Sequence, residues 1–420
     1  MKGQSQTTAV ILAGGMGTRA ADPTIPKLAQ EVGRRSLLAW HLDLLKDSQI
    51  GLVLIVAGHL GQQVHALAAS MSAPGLTVKV IQEEHQEGTV AALKLAAAVS
   101  KGDEFLVILG DILMAFPVTE FLANWRASGK SVAVAVHPSS HPNDSDAAFP
   151  MADGSVLVAP KAQPRDLIPN MSSTGLFAIN RVGLERYGQL RDFGSDVLPS
   201  AAELGDLFAV VTTHYFKDTG TPDRLLAAQG DIDSGAVARR GSSAPRAALF
   251  LDRDGVINPA LPEVYDPTDF ALNPGVASAI GSANRFGLPV FVITNQPGIA
   301  KGFMTEQTHL AIRARLDALL GESGAFVDDY WHCPHHPDAG FAGEVPALKV
   351  ACECRKPAPG LILAVAAKFG IDLGASVFVG DTWRDEQAAL GAGIPFIKAP
   401  QNWDMGPSVA IVQAIERLRS

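Results

Sequence analysis

The chain has 420 residues, enough for two or three domains that each bury a core. It is 47% hydrophobic and 18% charged, an ordinary globular balance that excludes extensive disorder and fibrous repeats. A net charge of −9 excludes the basic footprint of a nucleic-acid binder, and no apolar run reaches the roughly 18–20 residues that a membrane span requires. The polar start, MKGQSQTT, predicts no secretory leader and a cytoplasmic protein.

In chain order, short β-branched runs alternate with longer amphipathic stretches. Strands are predicted at 9–13, 52–57, 78–81, 105–109 and 132–136, with helices at 37–46 and 89–99. The small, polar stretch DIDSGAVARRGSSAPR at 231–246 predicts a linker over 233–246, between domains at 1–232 and 247–420. The pattern then restarts, with strands at 247–251, 289–294 and 376–380 and helices at 275–286, 305–320, 359–369 and 384–392. This alternation predicts two α/β domains with mainly parallel sheets, whose chemistry sits at the carboxyl ends of the strands. The histidines at 41 and 65 read as surface or interface residues, and Trp40, Trp125 and Trp383 as packing.

The first strand runs into Gly14, Gly15 and Gly17, then Thr18 and Arg19. Glycines let backbone N–H groups approach a polyphosphate, and Arg19 adds a charged fork. Lys27 is placed to reach the same phosphates. The spacing is not that of a P-loop. Asp111 and Asp218 each close a strand, and together they predict a Mg2+ site that bridges phosphates. Glu87, Gly88 and Thr89 open a helix and are read as base or ribose contacts. LAGGMGTR, LGD and DTGTP resemble the sugar-1-phosphate nucleotidylyltransferases, and the stretch HPSSHPNDSDAAF at 137–149 resembles the heptose guanylyltransferase branch. That resemblance implies a Rossmann-like sheet and a nucleotide held by Gly14, Gly15, Gly17, Thr18, Arg19, Lys27, Gly88 and Thr89. It also implies Mg2+ on Asp111 and Asp218, and attack of a sugar 1-phosphate on an NTP.

In the second half, Asp252 and Asp254 follow a strand one residue apart. Thr294, Lys356, Asp381 and Asp385 lie at later strand ends or helix starts. Three or more carboxylates, a hydroxyl and an ammonium so placed predict phosphoryl transfer. Asp252 is the expected nucleophile and Asp254 the general acid and base. Thr294 and Lys356 are expected to cradle the equatorial oxygens, with Mg2+ on Asp252, Asp254 and Asp381. DRDGVIN, VITNQ, RKP and VGDTWRD resemble the four motifs of the haloacid-dehalogenase-type phosphatases, over about residues 247–400.

All three cysteines, Cys333, Cys352 and Cys354, cluster beside His335. Four such donors predict a closed, structural Zn2+ site, with His332 and His336 as alternative ligands. This zinc loop, 333–354, inside this phosphatase resembles the D-glycero-D-manno-heptose 1,7-bisphosphate 7-phosphatases; the histidinol-phosphate phosphatases share it. The resemblance implies a Rossmannoid sheet, removal of the 7-phosphate, and substrate contacts from Arg253, Asn258, Asn295 and Arg355.

The two halves fit consecutive steps. One makes a sugar 1-phosphate and the other activates it, giving a nucleotide-linked heptose for surface polysaccharide. The expected partners are a sugar phosphate and an NTP, with no nucleic acid and no membrane. The rival reading is a phosphatase joined to a non-catalytic sugar-nucleotide binding module.

Overall fold

The computed structural model describes residues 7–15, 22, 24–71, 74–161, 168–241, 244–400 and 406–419. The chain falls into two compact units. One comprises most of residues 1–241, and the other comprises the residues from 242 onward together with 138–142 and 168–170.

The first unit is built on a nine-stranded sheet. Its central strand, Thr7–Ala13, runs parallel to Leu52–Ala57 on one side and to Glu104–Leu109 on the other. Thr77–Gln82 extends the parallel side. The remainder is mixed: Ser172–Asn180 runs antiparallel to both Glu104–Leu109 and Val132–His137, and Leu207–Val211 runs parallel to Val132–His137. The sheet is therefore mixed rather than mainly parallel. Continuous apolar runs mark the inner strands as buried on both faces but do not by themselves fix their direction. Helices Leu37–Lys46 and Thr89–Val99 match the sequence prediction.

A separate antiparallel pair, Ile112–Ala115 with Tyr215–Asp218, pairs Asp218 with Ile112 and so brings Asp218 beside Asp111. The linker expected over 233–246 is helical over Ala236–Gly241, after a helix at Pro222–Asp233. Its small residues turn inward: Ala236, Val237 and even Arg240 are buried. Val237 joins Val32, Leu37, Leu113, Tyr215 and Ala228 in one apolar cluster. His41 is also buried, with Nε2 at 2.7 Å from the Ile112 carbonyl, so it is a core residue and not a surface one. His65 is exposed, as expected.

The second unit carries a five-stranded, all-parallel sheet. Its order is Asp329–Cys333, Val290–Asn295, Leu249–Leu251, Val377–Gly380, Phe396–Lys398. The three inner strands are apolar and almost fully buried, and the helices Val276–Phe286, Glu306–Gly321 and Pro407–Arg419 pack their apolar stripes onto the same core. Helices Gly360–Phe369 and Trp383–Ala392 complete the unit. Because all five strands point one way, Asp252, Asn295, Cys333 and Asp381 emerge at one edge of the sheet.

Candidate functional site

Asp252 leaves the central strand of the second unit and is buried. Its Oδ1 accepts from the Arg253 backbone N–H at 2.7 Å, and its Oδ2 lies 2.8 Å from the Lys356 ammonium. Lys356, itself buried, also reaches Asp385 Oδ1 at 2.6 Å and donates to the Ile293 carbonyl at 2.9 Å. Asp385 begins the helix after Asp381, and its other oxygen accepts from the Thr382 backbone N–H and hydroxyl at 2.9 and 2.6 Å. This capping box fixes the carboxylate.

Oxygens of Asp252, Asp381 and Asp385 all lie within 4.8 Å of one another. The three form a hard, all-oxygen donor set that fits a small divalent cation. Gly255 permits this closeness. Its φ is +84°, and a Cβ there would stand 2.1 Å from Asp381 Oδ2.

Burial, with Asp385 and Asp254 adding to it, pushes the Asp252 carboxyl well above the usual range, against the pull of Lys356. Despite its burial, Lys356 is held above its ordinary value by Asp252 and Asp385. Lys356 in turn holds Asp385 below its own, against burial.

Asp254 is not part of the carboxylate group that converges on the ion site. Arg253 clamps it, with Nη2 at 2.7 and 2.8 Å from its two oxygens. Asn258 donates to it at 3.0 Å and Gln296 at 2.9 Å. These contacts leave Arg253 and Asn258 essentially inaccessible, at 1% and 0% exposure. Both grip Asp254; the substrate contacts expected of them come from the resemblance alone. Gln296, which also donates to the Thr294 hydroxyl at 2.9 Å, stood in the VITNQ motif but was given no role.

Asn295 is likewise a positioning group. Its amide donates to the Lys356 carbonyl at 2.9 Å and accepts from the Lys356 N–H at 3.0 Å, so it orients the backbone that carries the ammonium. Arg355 is partly buried and donates to the His335 carbonyl at 3.2 Å.

Cys333, His335, Cys352 and Cys354 come together. His335 Nδ1 is 3.5 Å from Cys333 Sγ and 3.2 Å from Cys354 Sγ. The three sulfurs are 3.2 to 3.6 Å apart. A tetrahedron with Zn–S bonds of about 2.3 Å has edges of about 3.8 Å, so the four donors fit such an ion with slight expansion. His336 turns to the Asp338 carbonyl and His332 to Glu306, so neither joins the cluster.

In the first unit, Lys27 Nζ lies 2.5 Å from Asp111 Oδ2. Gly220 marks where the groups converge: a Cβ there would stand 2.9 Å from Asp218, 3.3 Å from Asp111 and 3.8 Å from Lys27. Thr219 donates its N–H and its hydroxyl to the Asp111 carbonyl, each at 2.8 Å, and locks the two strand ends together. A Cβ on Gly15 would sit 4.0 Å from the same lysine, which ties the glycine turn to the cluster. A Cβ on Gly14 would collide with Glu83, a buried carboxylate that the sequence reading passed over.

Gly17, Thr18 and Arg19 lie outside the described residues. The structure does not link Gly88 and Thr89 to this cluster. Gly88 packs on the Arg191 carbonyl, and the Thr89 hydroxyl donates to Asp192 at 3.0 Å and accepts from the Phe193 N–H at 2.9 Å.

Residues 9–187 match the family described as MobA-like NTP transferase domain, and residues 353–399 match the HAD-hydrolase-like family. The chain is 40% identical over 147 residues to D-glycero-beta-D-manno-heptose-1,7-bisphosphate 7-phosphatase of Yersinia pestis, covering 35% of this chain and 76% of that protein. It is 43% identical over 155 residues to the protein of the same name from Rhodopseudomonas palustris, covering 37% and 84%. Among solved structures, HddC from Yersinia pseudotuberculosis, complexed with GMP-PN, is 22% identical with a TM-score of 0.45, over 54% of this chain and 99% of that one. No helix among the described residues is long and apolar enough to cross a membrane.

Proposed function

The chain belongs to the D-glycero-beta-D-manno-heptose-1,7-bisphosphate 7-phosphatase family, and on that premise we propose a bifunctional enzyme for two consecutive steps. The second unit removes the 7-phosphate of the bisphosphate. The first transfers a nucleotidyl group, GMP, from an NTP to the heptose 1-phosphate so formed. The observation that supports the phosphatase most directly is the convergence of Asp252, Asp381 and Asp385 within 4.8 Å, with Lys356 bridging two of them.

Asp252 attacks phosphorus in line. A bond forms between its carboxylate oxygen and phosphorus as the bond to the C7 oxygen breaks. Asp254, held by Arg253, Asn258 and Gln296, gives its proton to the departing alkoxide. It then takes one from the water that cleaves the aspartyl-phosphate. The Thr294 hydroxyl and Lys356 ammonium cradle the equatorial oxygens. Mg2+ on Asp252 and Asp381 would offset the burial that raises Asp252 and neutralise the incoming phosphate. Zn2+ on Cys333, His335, Cys352 and Cys354 would fill a closed site and stabilise the loop that leads into Lys356.

In the first unit, Lys27 and the backbone of Gly14 and Gly15 hold the triphosphate, and Asp111 and Asp218 offer carboxylates for a second Mg2+. An NTP substrate and free thiols suit the cytoplasm.

Incubating the full chain with heptose 1,7-bisphosphate, Mg2+ and each NTP in turn tests the reading by product mass. The expected sequence is inorganic phosphate and heptose 1-phosphate, then pyrophosphate and a nucleotide-linked heptose with GTP. Phosphate release without pyrophosphate for any NTP would leave a phosphatase alone. A higher kcat/KM on histidinol phosphate would overturn the sugar assignment.

A further inference from the structure

Arg253 is almost fully buried, so the N–H groups of its guanidinium must find partners inside the protein. Nε lies 3.0 Å from Asp254, and Nη2 grips both oxygens of the same carboxylate. Nη1 turns elsewhere. Its acceptor among the described residues is the Tyr330 hydroxyl, 3.4 Å away.

Tyr330 stands in the strand Asp329–Cys333, paired with Val292 of the neighbouring strand. Its ring is locked in the core. It is 5% exposed, the Arg313 guanidinium lies 5.5 Å over it, and the His309 ring packs at 5.4 Å. The hydroxyl is therefore a fixed point. It is also neutral, so it supports Nη1 without drawing the guanidinium charge away from Asp254, as a carboxylate there would. A long arginine stem that folds back onto the next residue of the chain needs such a second anchor to keep its planar fork in one orientation.

We propose that Tyr330 is a positioning residue for proton transfer: it props the Arg253 guanidinium in the plane where the fork grips Asp254, and so sets Asp254 against the departing oxygen. The inference rests on the acid role proposed for Asp254 above. The step it serves is the one in which the bond from phosphorus to the C7 oxygen breaks and that oxygen takes the Asp254 proton.

The test compares two esters on the full-length, Mg2+-loaded protein. The alkoxide of heptose 1,7-bisphosphate needs a proton to leave, whereas the phenolate of para-nitrophenyl phosphate leaves without one. Each kcat/KM covers the steps up to the aspartyl-phosphate, and the ratio of the two on one preparation is blind to the fraction folded. Tyr330→Phe deletes only the hydroxyl. It should lower kcat/KM about tenfold on the bisphosphate and less than about twofold on the nitrophenyl ester. Asp254→Asn should show the same contrast more deeply. On the bisphosphate alone, adding Tyr330→Phe to Asp254→Asn should cost nothing further.

Contrast in Asp254→Asn without contrast in Tyr330→Phe overturns this inference and spares the proposed function. So does an additive double variant. Equal loss on both esters in Tyr330→Phe makes Tyr330 a merely structural residue and overturns it too. Absence of contrast in Asp254→Asn, or a wild type inert on the bisphosphate, removes the proposed reading and this inference with it.

Discussion

Lys356 and Asp385 form a buried ion pair at 2.6 Å, and the same ammonium reaches Asp252 at 2.8 Å. One cation thus couples the strand end that bears the proposed nucleophile to the helix that follows Asp381. Asp385 does two jobs here, because its second oxygen caps that helix. Asp385→Ala removes the cap and leaves Lys356 with a single acidic partner. The expected result is a loss of about 3 kcal/mol in urea unfolding together with a large fall in kcat. A variant of wild-type stability would show that the pair contributes nothing to the fold.

Asp252→Asn keeps the shape of the side chain and removes the nucleophile. Phosphate release should fall by on the order of 10^4-fold or more while the far-ultraviolet circular dichroism stays native. Asp254→Asn should cost about 10^2 to 10^4-fold, the usual range for a general acid. Undiminished turnover by the Asp252 variant would remove the covalent step.

The thiol cluster should carry one metal ion per chain, read by elemental analysis of protein purified without chelator. Cys352→Ser should lower the metal content and the melting temperature together. The phosphatase should weaken as well, since Cys354 and Lys356 are separated only by Arg355. Metal-free protein with unchanged melting would contradict a structural site.

His309 supplies a pH prediction. Its ring is buried, neither ring nitrogen has a hydrogen-bond partner, and burial, with His332 and two arginines adding to it, holds its pKa well below 6.5. The unfolded chain therefore binds the proton first. Stability from this group is complete above about pH 6.5 and declines as pH falls below it, by at most about 1.4 kcal/mol per pH unit. His309→Phe should flatten that slope in urea titrations between pH 5 and 7. An unaltered slope would assign it to other groups.

In the first unit, Lys27→Ala and Asp218→Asn should each abolish pyrophosphate release from NTP and heptose 1-phosphate. Phosphate release from the bisphosphate serves as the internal control. Retained pyrophosphate release in either variant would move the triphosphate site elsewhere.

Much of this was readable before any coordinates. Runs such as VFVIT and SVFVG announce buried strands, and a polar residue directly after each announces a strand-end site. The edge strand Asp329–Cys333 was invisible because DYWHC lacks an apolar pattern; Asp329 is held by Arg313 and by the Trp331 indole. The antiparallel course of Ser172–Asn180 was equally hidden, since direction leaves no trace in hydrophobicity. At the site, residue types gave position but not aim. Arg253 looked like a substrate contact, but it bends back onto the next residue in the chain. Asp385 was noticed as a spaced carboxylate, but the ammonium that bridges it to Asp252 comes from more than 100 residues away from the nucleophile. Such long-range pairing is a property of the fold.

The missing side chain at position 255 has a consequence for anyone who would diversify this enzyme. Even one methyl there would evict an Asp381 oxygen, and the backbone dihedral adds a second penalty for any other residue. Random libraries that sample this codon should return only glycine among active clones.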